Sequence, residues 1–161
     1  MTATGAIRAL VVDDSEFFAE MTAGTLTEEH DIEATFETSA QDALDSLEDS
    51  RVDCIVSDYD MPGMDGLTFL DRVQEHHDDL PFILLTGRGD EVVASRAIAS
   101  GVADYLLKLE VVEDEQYERL ANRIERVVRQ QQTRKKYERL VENSPDAIAH
   151  VADSGEVLAA N

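Results

Sequence analysis

Cysteine and long apolar runs are scarce in this sequence, and each shortage excludes a class of protein. Of the 161 residues only Cys54 is a cysteine, so the chain cannot form an internal disulfide. Cys54 lies within an apolar run, which favours a buried structural thiol in a reducing compartment. No apolar run reaches about 18 residues, and residues 1–5 lack the basic-then-apolar pattern of a secretory signal. We therefore expect a cytoplasmic protein with no membrane partner.

Basic residues, and lysine above all, are also scarce. The chain has 35 acidic residues against 14 lysines and arginines, a net charge of −21, and only three of its residues are lysines. We expect no direct binding of nucleic acid, because phosphate backbones require a basic surface. An acid-rich, lysine-poor surface is typical of proteins from a salt-rich cytoplasm, where ions screen like charges. The composition therefore suggests the hypothesis of a halophilic protein.

The charge is distributed unevenly along the chain. Residues 1–118 contain 6 basic and 29 acidic residues, whereas residues 119–161 contain 8 and 6. Because composition changes near position 118, we expect the organisation of the chain to change there as well.

Apolar periodicity predicts strands and helices in alternation. Most of the strand candidates are nearly continuous apolar runs, as in strands covered on both faces, whereas residues 32–37 alternate and suit a sheet edge. Ser15 and Ser39 are suitable helix N-caps, and Gly101 is a natural helix stop. Five such repeats predict a doubly wound α/β domain with a parallel five-stranded sheet. The predicted strands are 7–12, 32–37, 53–57, 82–86 and 103–107, and the predicted helices are 15–28, 40–49, 66–76 and 90–100.

A longer helical pattern covers about 114–142. Its apolar stripe up to Val128 predicts packing on the sheet as a fifth helix. The following stretch, 129–142, has little to bury within one domain, so it suits a connector, a coiled-coil seam or a solvated helix end. Residues 143–161 then show a hairpin signal, which alone is marginally stable. These patterns predict a first domain over 6–128, a connector helix over 129–142 and the start of a second domain over 143–161.

Acidic residues stand where two strands end. Asp13 and Asp14 follow the first predicted strand, and Asp58 follows the third. Because the carboxyl ends of parallel strands open onto one crevice, we expect these side chains to meet. Converging carboxylates repel one another, so we expect them to bind a hard, oxygen-seeking cation such as Mg²⁺. The arrangement predicts a reactive site.

Two further polar residues fall at strand ends on the same edge. Thr86 follows the run 82–85, and Lys108 follows 105–107. An aspartate can accept a phosphoryl group as an acyl phosphate, with a divalent cation neutralising charge on the transferring oxygens. A lysine and a hydroxyl would then contact the phosphate. The four strand ends together favour phosphoryl chemistry.

Four segments around these residues form a pattern that is specific in combination. They are VVDDS at 11–15, DYDMPGMDG at 58–66, LTG at 85–87 and YLLK at 105–108. In these segments, and over roughly 6–128, the chain resembles the receiver domains of response regulators in two-component signalling. The resemblance implies a flavodoxin-like strand order 2-1-3-4-5 and a module that is phosphorylated by a sensor histidine kinase or a phosphotransfer protein. It also implies that the chain is no enzyme beyond its own Mg²⁺-dependent phosphorylation and dephosphorylation.

The same resemblance implies roles for individual residues. Asp58 would be the phosphoacceptor. Mg²⁺ would be held by the side chains of Asp14 and Asp58, by the backbone carbonyl of Asp60 and, through water, by Asp13. Lys108 and Thr86 would contact the phosphate, with Thr86 and Tyr105 as a switch pair whose movement follows phosphorylation.

Structural interpretations stay open beside these roles. Asp58 could cap a turn, and Asp13 with Asp14 could be a charge pair at a helix N-terminus. Thr86 and Tyr105 could be ordinary strand residues, and Lys108 a surface charge.

Two features near the site have consequences of their own. Asp60 and Arg88 each lie two residues beyond a site residue, so they could form a pair that tunes the lifetime of the acyl phosphate or a solvated surface pair. Leu109 stands where receiver domains usually have proline after the lysine, so we expect a trans peptide bond there.

Other classes of protein remain to be distinguished. From residue 142 the tail resembles the opening of a PAS sensory domain, as in a shortened receiver–PAS protein. A Mg²⁺-dependent aspartyl phosphohydrolase is the main alternative function, although it would usually carry Asp-x-Asp after the first strand. A flavin-binding electron carrier would need neutral or phosphate-binding loops where this chain has Asp13 and Asp14.

Overall fold

The structure, a computed structural model, describes residues 6–87, 91–108 and 117–142. Five strands alternate with helices and pair in parallel in the order β2-β1-β3-β4-β5, which confirms the predicted doubly wound fold. The elements are β1 (Ile7–Val12), α1 (Glu16–Glu29), β2 (Ile32–Glu37), α2 (Ala40–Asp49), β3 (Cys54–Asp58), α3 (Gly66–His76), β4 (Phe82–Thr86), α4 (Glu91–Ser100), β5 (Asp104–Leu107) and α5 (Tyr117–Glu142).

The predicted element boundaries differ from the structure by one residue at several strand ends. β3 begins at Cys54 and includes Asp58, whose Cα pairs in register with Leu85 of β4. Asp58 is therefore the last residue of its strand and not the first residue after it. β5 begins at Asp104, and the first residues of the long helix predicted from about 114 lie outside the described residues.

The predicted helix caps are present. The Ser15 Oγ accepts a hydrogen bond from the Phe18 N–H at 3.3 Å, and the Ser39 Oγ accepts one from the Asp42 N–H at 3.1 Å. Gly101 ends α4 at a φ of +99°, a left-handed conformation that a residue with a Cβ rarely adopts. These residues supply the partners and backbone freedom that helix ends require.

Two apolar layers cover the two faces of the sheet. One layer packs α1 and the first half of α5 against residues such as Val11, Val56 and Leu85. The other packs α2, α3 and α4 against residues such as Leu10, Ile55 and Leu84. Because both faces are covered, every residue of β3 and β4 is buried, and so are Ala9–Val12 of β1, as their apolar runs predict.

The chain divides into two compact units, Met1–Val128 and Arg129–Asn161. In the first unit, Cys54 is fully buried, and burial raises the pKa of its thiol. In the second unit, the side chains of Tyr137 and Leu140 on α5 are exposed. Among the described helices none is long and apolar enough to cross a membrane.

Candidate functional site

Three carboxylates lie together at the carboxyl edge of the sheet. β1 and β3 are paired neighbours, so Asp13 and Asp14 beyond β1 come beside Asp58 at the end of β3. One oxygen from each of the three carboxylates lies within 4.8 Å of the others. Asp13 and Asp58 are buried, whereas Asp14 is exposed. The structure thus brings together the three acids that the strand-end pattern singled out.

Lys108, directly after β5, reaches into this cluster. Its Nζ lies 2.6 Å from the Asp13 Oδ2 and 3.5 Å from the Asp58 Oδ2. The same ammonium lies over the ring of Phe18, 4.4 Å from the ring centroid. Lys108 is therefore a single positive charge set among two buried carboxylates and an aromatic face.

Burial sets the electrostatics of the two buried acids. Loss of hydration, together with the neighbouring charge of Asp13, raises the pKa of Asp58 to about 6 against the pull of Lys108. Burial likewise raises the pKa of Asp13, although the Lys108 ammonium and the Ser15 N–H oppose it. Burial lowers the pKa of Lys108, but its contacts with Asp13 and Asp58 outweigh that effect and leave it raised. The site carries an excess of negative charge that an added cation would relieve.

The carboxylates fit a hard divalent cation in their donor chemistry. Both oxygens of Asp13 are engaged, since Oδ1 accepts the Ser15 N–H at 2.8 Å and Oδ2 faces Lys108. Asp14 is exposed and so has an accessible carboxylate. Oxygen ligands of this kind suit Mg²⁺, and the engagement of Asp13 favours contact through water over direct ligation.

Asp60 and Arg88 are placed differently from the other predicted site residues. Asp60 is exposed, and its carboxylate is not part of the three-acid cluster. Its expected contribution through the backbone carbonyl stays a prediction. Arg88 lies outside the described residues, as does Leu109 after Lys108.

The two predicted switch residues are in contact. The Thr86 hydroxyl donates a hydrogen bond to the Tyr105 hydroxyl at 3.2 Å, with Thr86 buried and Tyr105 half-buried. The ring of Tyr105 packs against the apolar layer that contains Leu84 and Val93. The hydrogen bond joins the two hydroxyls directly, and the role of Thr86 and Tyr105 as a switch pair stays a prediction.

Two residues at the site are not predicted by the pattern of polar residues at strand ends. Phe18 lies under Lys108, but its helical spacing marks it only as a core residue. Gly66 begins α3 beside the site, where an added Cβ would lie 2.6 Å from the Asp58 carbonyl oxygen. Gly66 could have been found, because it closes the matched segment 58–66, whereas the contact of Phe18 depends on how α1 meets β5.

Comparisons with known proteins identify the family of this chain. The family model described as the response regulator receiver domain matches residues 9–120. The cyclic di-GMP phosphodiesterase response regulator RpfG of Xanthomonas campestris is 48% identical over 69 residues, which are 42% of this chain and 18% of that protein. The transcriptional regulatory protein FixJ of Bradyrhizobium diazoefficiens is 34% identical over 113 residues, 70% of this chain and 53% of that protein. The chain thus spans only part of the length of these curated relatives.

Solved structures show the same fold. The signal receiver domain of an HD domain-containing protein from Pseudomonas fluorescens Pf-5 superposes with a TM-score of 0.70 at 26% identity, covering 80% of this chain and 98% of that one. The chemotaxis response regulator CheY4 of Vibrio cholerae gives a TM-score of 0.66 at 26% identity, covering 74% and 98%. The matched segment, the fold and the clustered acids agree, and the chain belongs to the response regulator receiver domain family.

Proposed function

We propose that this receiver domain accepts a phosphoryl group on Asp58 and passes its phosphorylation state to a downstream domain. The observation that carries the proposal is the Lys108 ammonium, 2.6 Å from Asp13 and 3.5 Å from Asp58 within a cluster of three acids. Receiver domains are phosphorylated by histidine kinases or phosphotransfer proteins. A sensor histidine kinase or a phosphotransfer protein is therefore the proposed partner, and the cytoplasm is the proposed location of this chain.

The transfer itself needs few groups of the protein. An ionised Asp58 oxygen attacks the phosphorus of the donor, and the donor's P–N or P–O bond breaks with its electron pair leaving on the donor. Lys108 donates a hydrogen bond to a phosphoryl oxygen, and the Thr86 hydroxyl donates another in place of its bond to Tyr105. Bound Mg²⁺, held by Asp14 and Asp58 with Asp60 and Asp13 in support, would neutralise charge on the phosphoryl oxygens.

Incubation with Mg²⁺ and acetyl phosphate tests this function. We expect intact mass spectrometry to show one labile phosphoryl group on the wild-type chain and none on Asp58→Asn. Asp71→Asn is a matched control, because Asp71 is exposed on α3 outside the three-acid cluster. Steady release of phosphate without an adduct would instead indicate the aspartyl phosphohydrolase, and an adduct retained by Asp58→Asn would exclude Asp58 as the acceptor.

An Asp60–Arg88 pair is proposed to tune how long the acyl phosphate survives. Asp60 is exposed beside the site, where a charged pair could shield the acyl phosphate from water. Replacing Arg88 by alanine should change the rate of dephosphorylation, measured by the decay of the adduct mass. An unchanged rate of dephosphorylation would indicate that Asp60 and Arg88 form only a solvated surface pair.

We propose that the phosphorylation signal passes along three parts of the chain. These are a receiver domain over 6–128, a connector helix over 129–142 and the start of a PAS-like domain over 143–161. The exposed Tyr137 and Leu140 of α5 support a homodimer through the connector, since apolar side chains on an otherwise charged helix favour burial against a partner. We expect sedimentation equilibrium to show a dimer that Tyr137→Gln with Leu140→Gln weakens. A wild-type monomer at all concentrations would contradict this part of the proposal.

A further inference from the structure

The aromatic ring of Phe18 supplies an uncharged contact to the Lys108 ammonium. The Nζ lies 4.4 Å from the centroid of the Phe18 ring, within the range of a cation–π interaction. Its other contacts, with Asp13 and Asp58, are both to carboxylates. The Lys108 side chain is 23% exposed, so solvent is an alternative place for the ammonium.

The position of the Phe18 ring is fixed by the turn that carries Asp13. The Ser15 N–H donates to the Asp13 Oδ1 at 2.8 Å, and the Ser15 Oγ accepts the Phe18 N–H at 3.3 Å. Phe18 is itself buried, with 6% of its surface exposed, in the layer under α1 and α5. The two hydrogen bonds hold the backbone at Phe18 beside the turn of Asp13, and the ring is packed in the buried layer.

The proposed transfer would change both carboxylate contacts of Lys108. Asp58 would become an acyl phosphate, a mixed anhydride whose negative charge lies on the phosphoryl oxygens and no longer on the carboxyl group that Lys108 now contacts. A hard cation bound at the acids would compete with Lys108 for the negative charge of Asp13. The ring of Phe18 accepts neither a phosphoryl group nor a hard cation. It is the contact that can hold the ammonium in place while the charged partners are exchanged.

We propose that Phe18 is a positioning residue for Lys108, which keeps the ammonium over Asp58 through a cation–π interaction and so speeds phosphoryl transfer. This inference rests on the proposed function, because it takes Asp58 as the acceptor. Phe18 acts through Lys108 and touches neither the donor nor the phosphoryl group.

Graded fluorination of the Phe18 ring tests the proposal without removing its volume. Phenylalanine with one, two and three ring fluorines has a progressively weaker negative face at almost constant shape. We expect the initial rate of adduct formation from acetyl phosphate, with Mg²⁺ present, to fall in step with the number of fluorines, by about 5-fold over the series. The same series at Phe69, which packs against Phe82 at 5.5 Å in the opposite layer, should leave the rate unchanged.

Removal of the cation gives the matching control. In a Lys108→Met chain the fluorine series at Phe18 should have no effect on whatever rate remains, because the ring has no ammonium to hold. A merely structural role of Phe18 would change the rate equally with and without the lysine. An equal effect in both backgrounds, or a flat series in the wild-type background, would overturn the inference.

A spectroscopic measurement reports the contact itself. The chain has only three lysines, so ¹³Cε-labelled lysine gives a spectrum of three signals, of which Lys108→Met identifies one. We expect the Lys108 signal to be shifted upfield by the Phe18 ring and to lose that shift in Phe18→Leu, while Lys135 and Lys136 stay unchanged. An unshifted Lys108 signal in the wild-type chain would overturn the contact.

The site of phosphorylation and the role of Phe18 are distinguished by different outcomes. An adduct that forms equally on Asp58→Asn overturns the proposed function and this inference with it. An adduct on Asp58 with a flat fluorine series overturns the inference alone.

Discussion

Asp58 holds a charge where the fold disfavours it. Its side chain is 7% exposed, and burial together with Asp13 raises its pKa to about 6, from an ordinary value of 3.8. The native state therefore keeps the Asp58 proton to higher pH than the unfolded chain does. The stability that the protonated carboxyl supplies is lost as pH rises from about 4 through about 6. We therefore expect the buried charge of Asp58 to destabilise the metal-free protein at neutral pH.

Asp58→Asn is expected to stabilise the metal-free protein, because it removes a buried charge. With allowance for solvent screening, the gain in unfolding free energy should be about 1–2 kcal/mol at about pH 7.5 and smaller at about pH 5. Urea denaturation with a chelator present measures it, with Asp71→Asn as the exposed control. A variant that is less stable than the wild-type chain at neutral pH would contradict the electrostatic account.

Asp14 is expected to govern the response to Mg²⁺. Because Asp14 is accessible whereas both oxygens of Asp13 are engaged, Asp14→Asn should remove most of the thermal stabilisation by millimolar Mg²⁺. Differential scanning fluorimetry at constant ionic strength measures the shift in Tm. If Asp71→Asn loses the shift as fully as Asp14→Asn does, the ion acts on the overall charge and has no specific site.

At the scale of elements, the apolar runs and caps predict the strands and helices of a doubly wound domain, whereas the strand order 2-1-3-4-5 is predicted by the resemblance to receiver domains. Strand ends such as those at Asp13 and Lys108 also indicated which side chains would meet, since parallel order places them on one edge. The ring of Phe18 under Lys108 could not be predicted, because that contact depends on the distance between α1 and β5 after packing. A helical period identifies a buried face but not its neighbour across the core.

Two helical glycines are expected to respond to alanine with opposite signs. At Gly66 a Cβ would meet the Asp58 carbonyl oxygen at 2.6 Å and the Leu84 Cδ1 at 2.8 Å, so Gly66→Ala should cost about 1–3 kcal/mol and slow phosphorylation by displacing Asp58. At Gly24, within α1, nothing lies within 4 Å of an added Cβ, so Gly24→Ala should gain up to about 1 kcal/mol. Urea denaturation measures the change in unfolding free energy of both variants. A Gly66→Ala variant as stable as the wild-type chain would contradict the close approach of Gly66 to Asp58.

At the scale of the whole molecule, the charge of −21 is a surface property that the site does not need. Most of the acidic residues lie in the receiver part of the chain. They greatly outnumber the three acids that cluster at the edge of the sheet. We propose that this surface is an adaptation to high salt. Composition alone suggests an adaptation to salt, because the net charge follows from the sequence and does not depend on the fold.

The salt hypothesis predicts that the unfolding free energy rises as KCl is increased from about 0.1 M to molar concentration, because screening reduces self-repulsion. Thermal unfolding followed by circular dichroism measures the rise, and NaCl at equal ionic strength is the control for a specific ion. A chain that is equally stable at low and molar KCl would contradict the halophilic interpretation while leaving the phosphoacceptor site untouched.

The most direct test of the central claim is to locate the phosphoryl group by chemistry. Borohydride reduction of an aspartyl phosphate converts that residue to homoserine, which tandem mass spectrometry of the peptides then places in the sequence. After treatment with acetyl phosphate and Mg²⁺, we predict homoserine at position 58. Homoserine at Asp13, Asp14 or Asp60 in its place, or at no aspartate, would contradict the account.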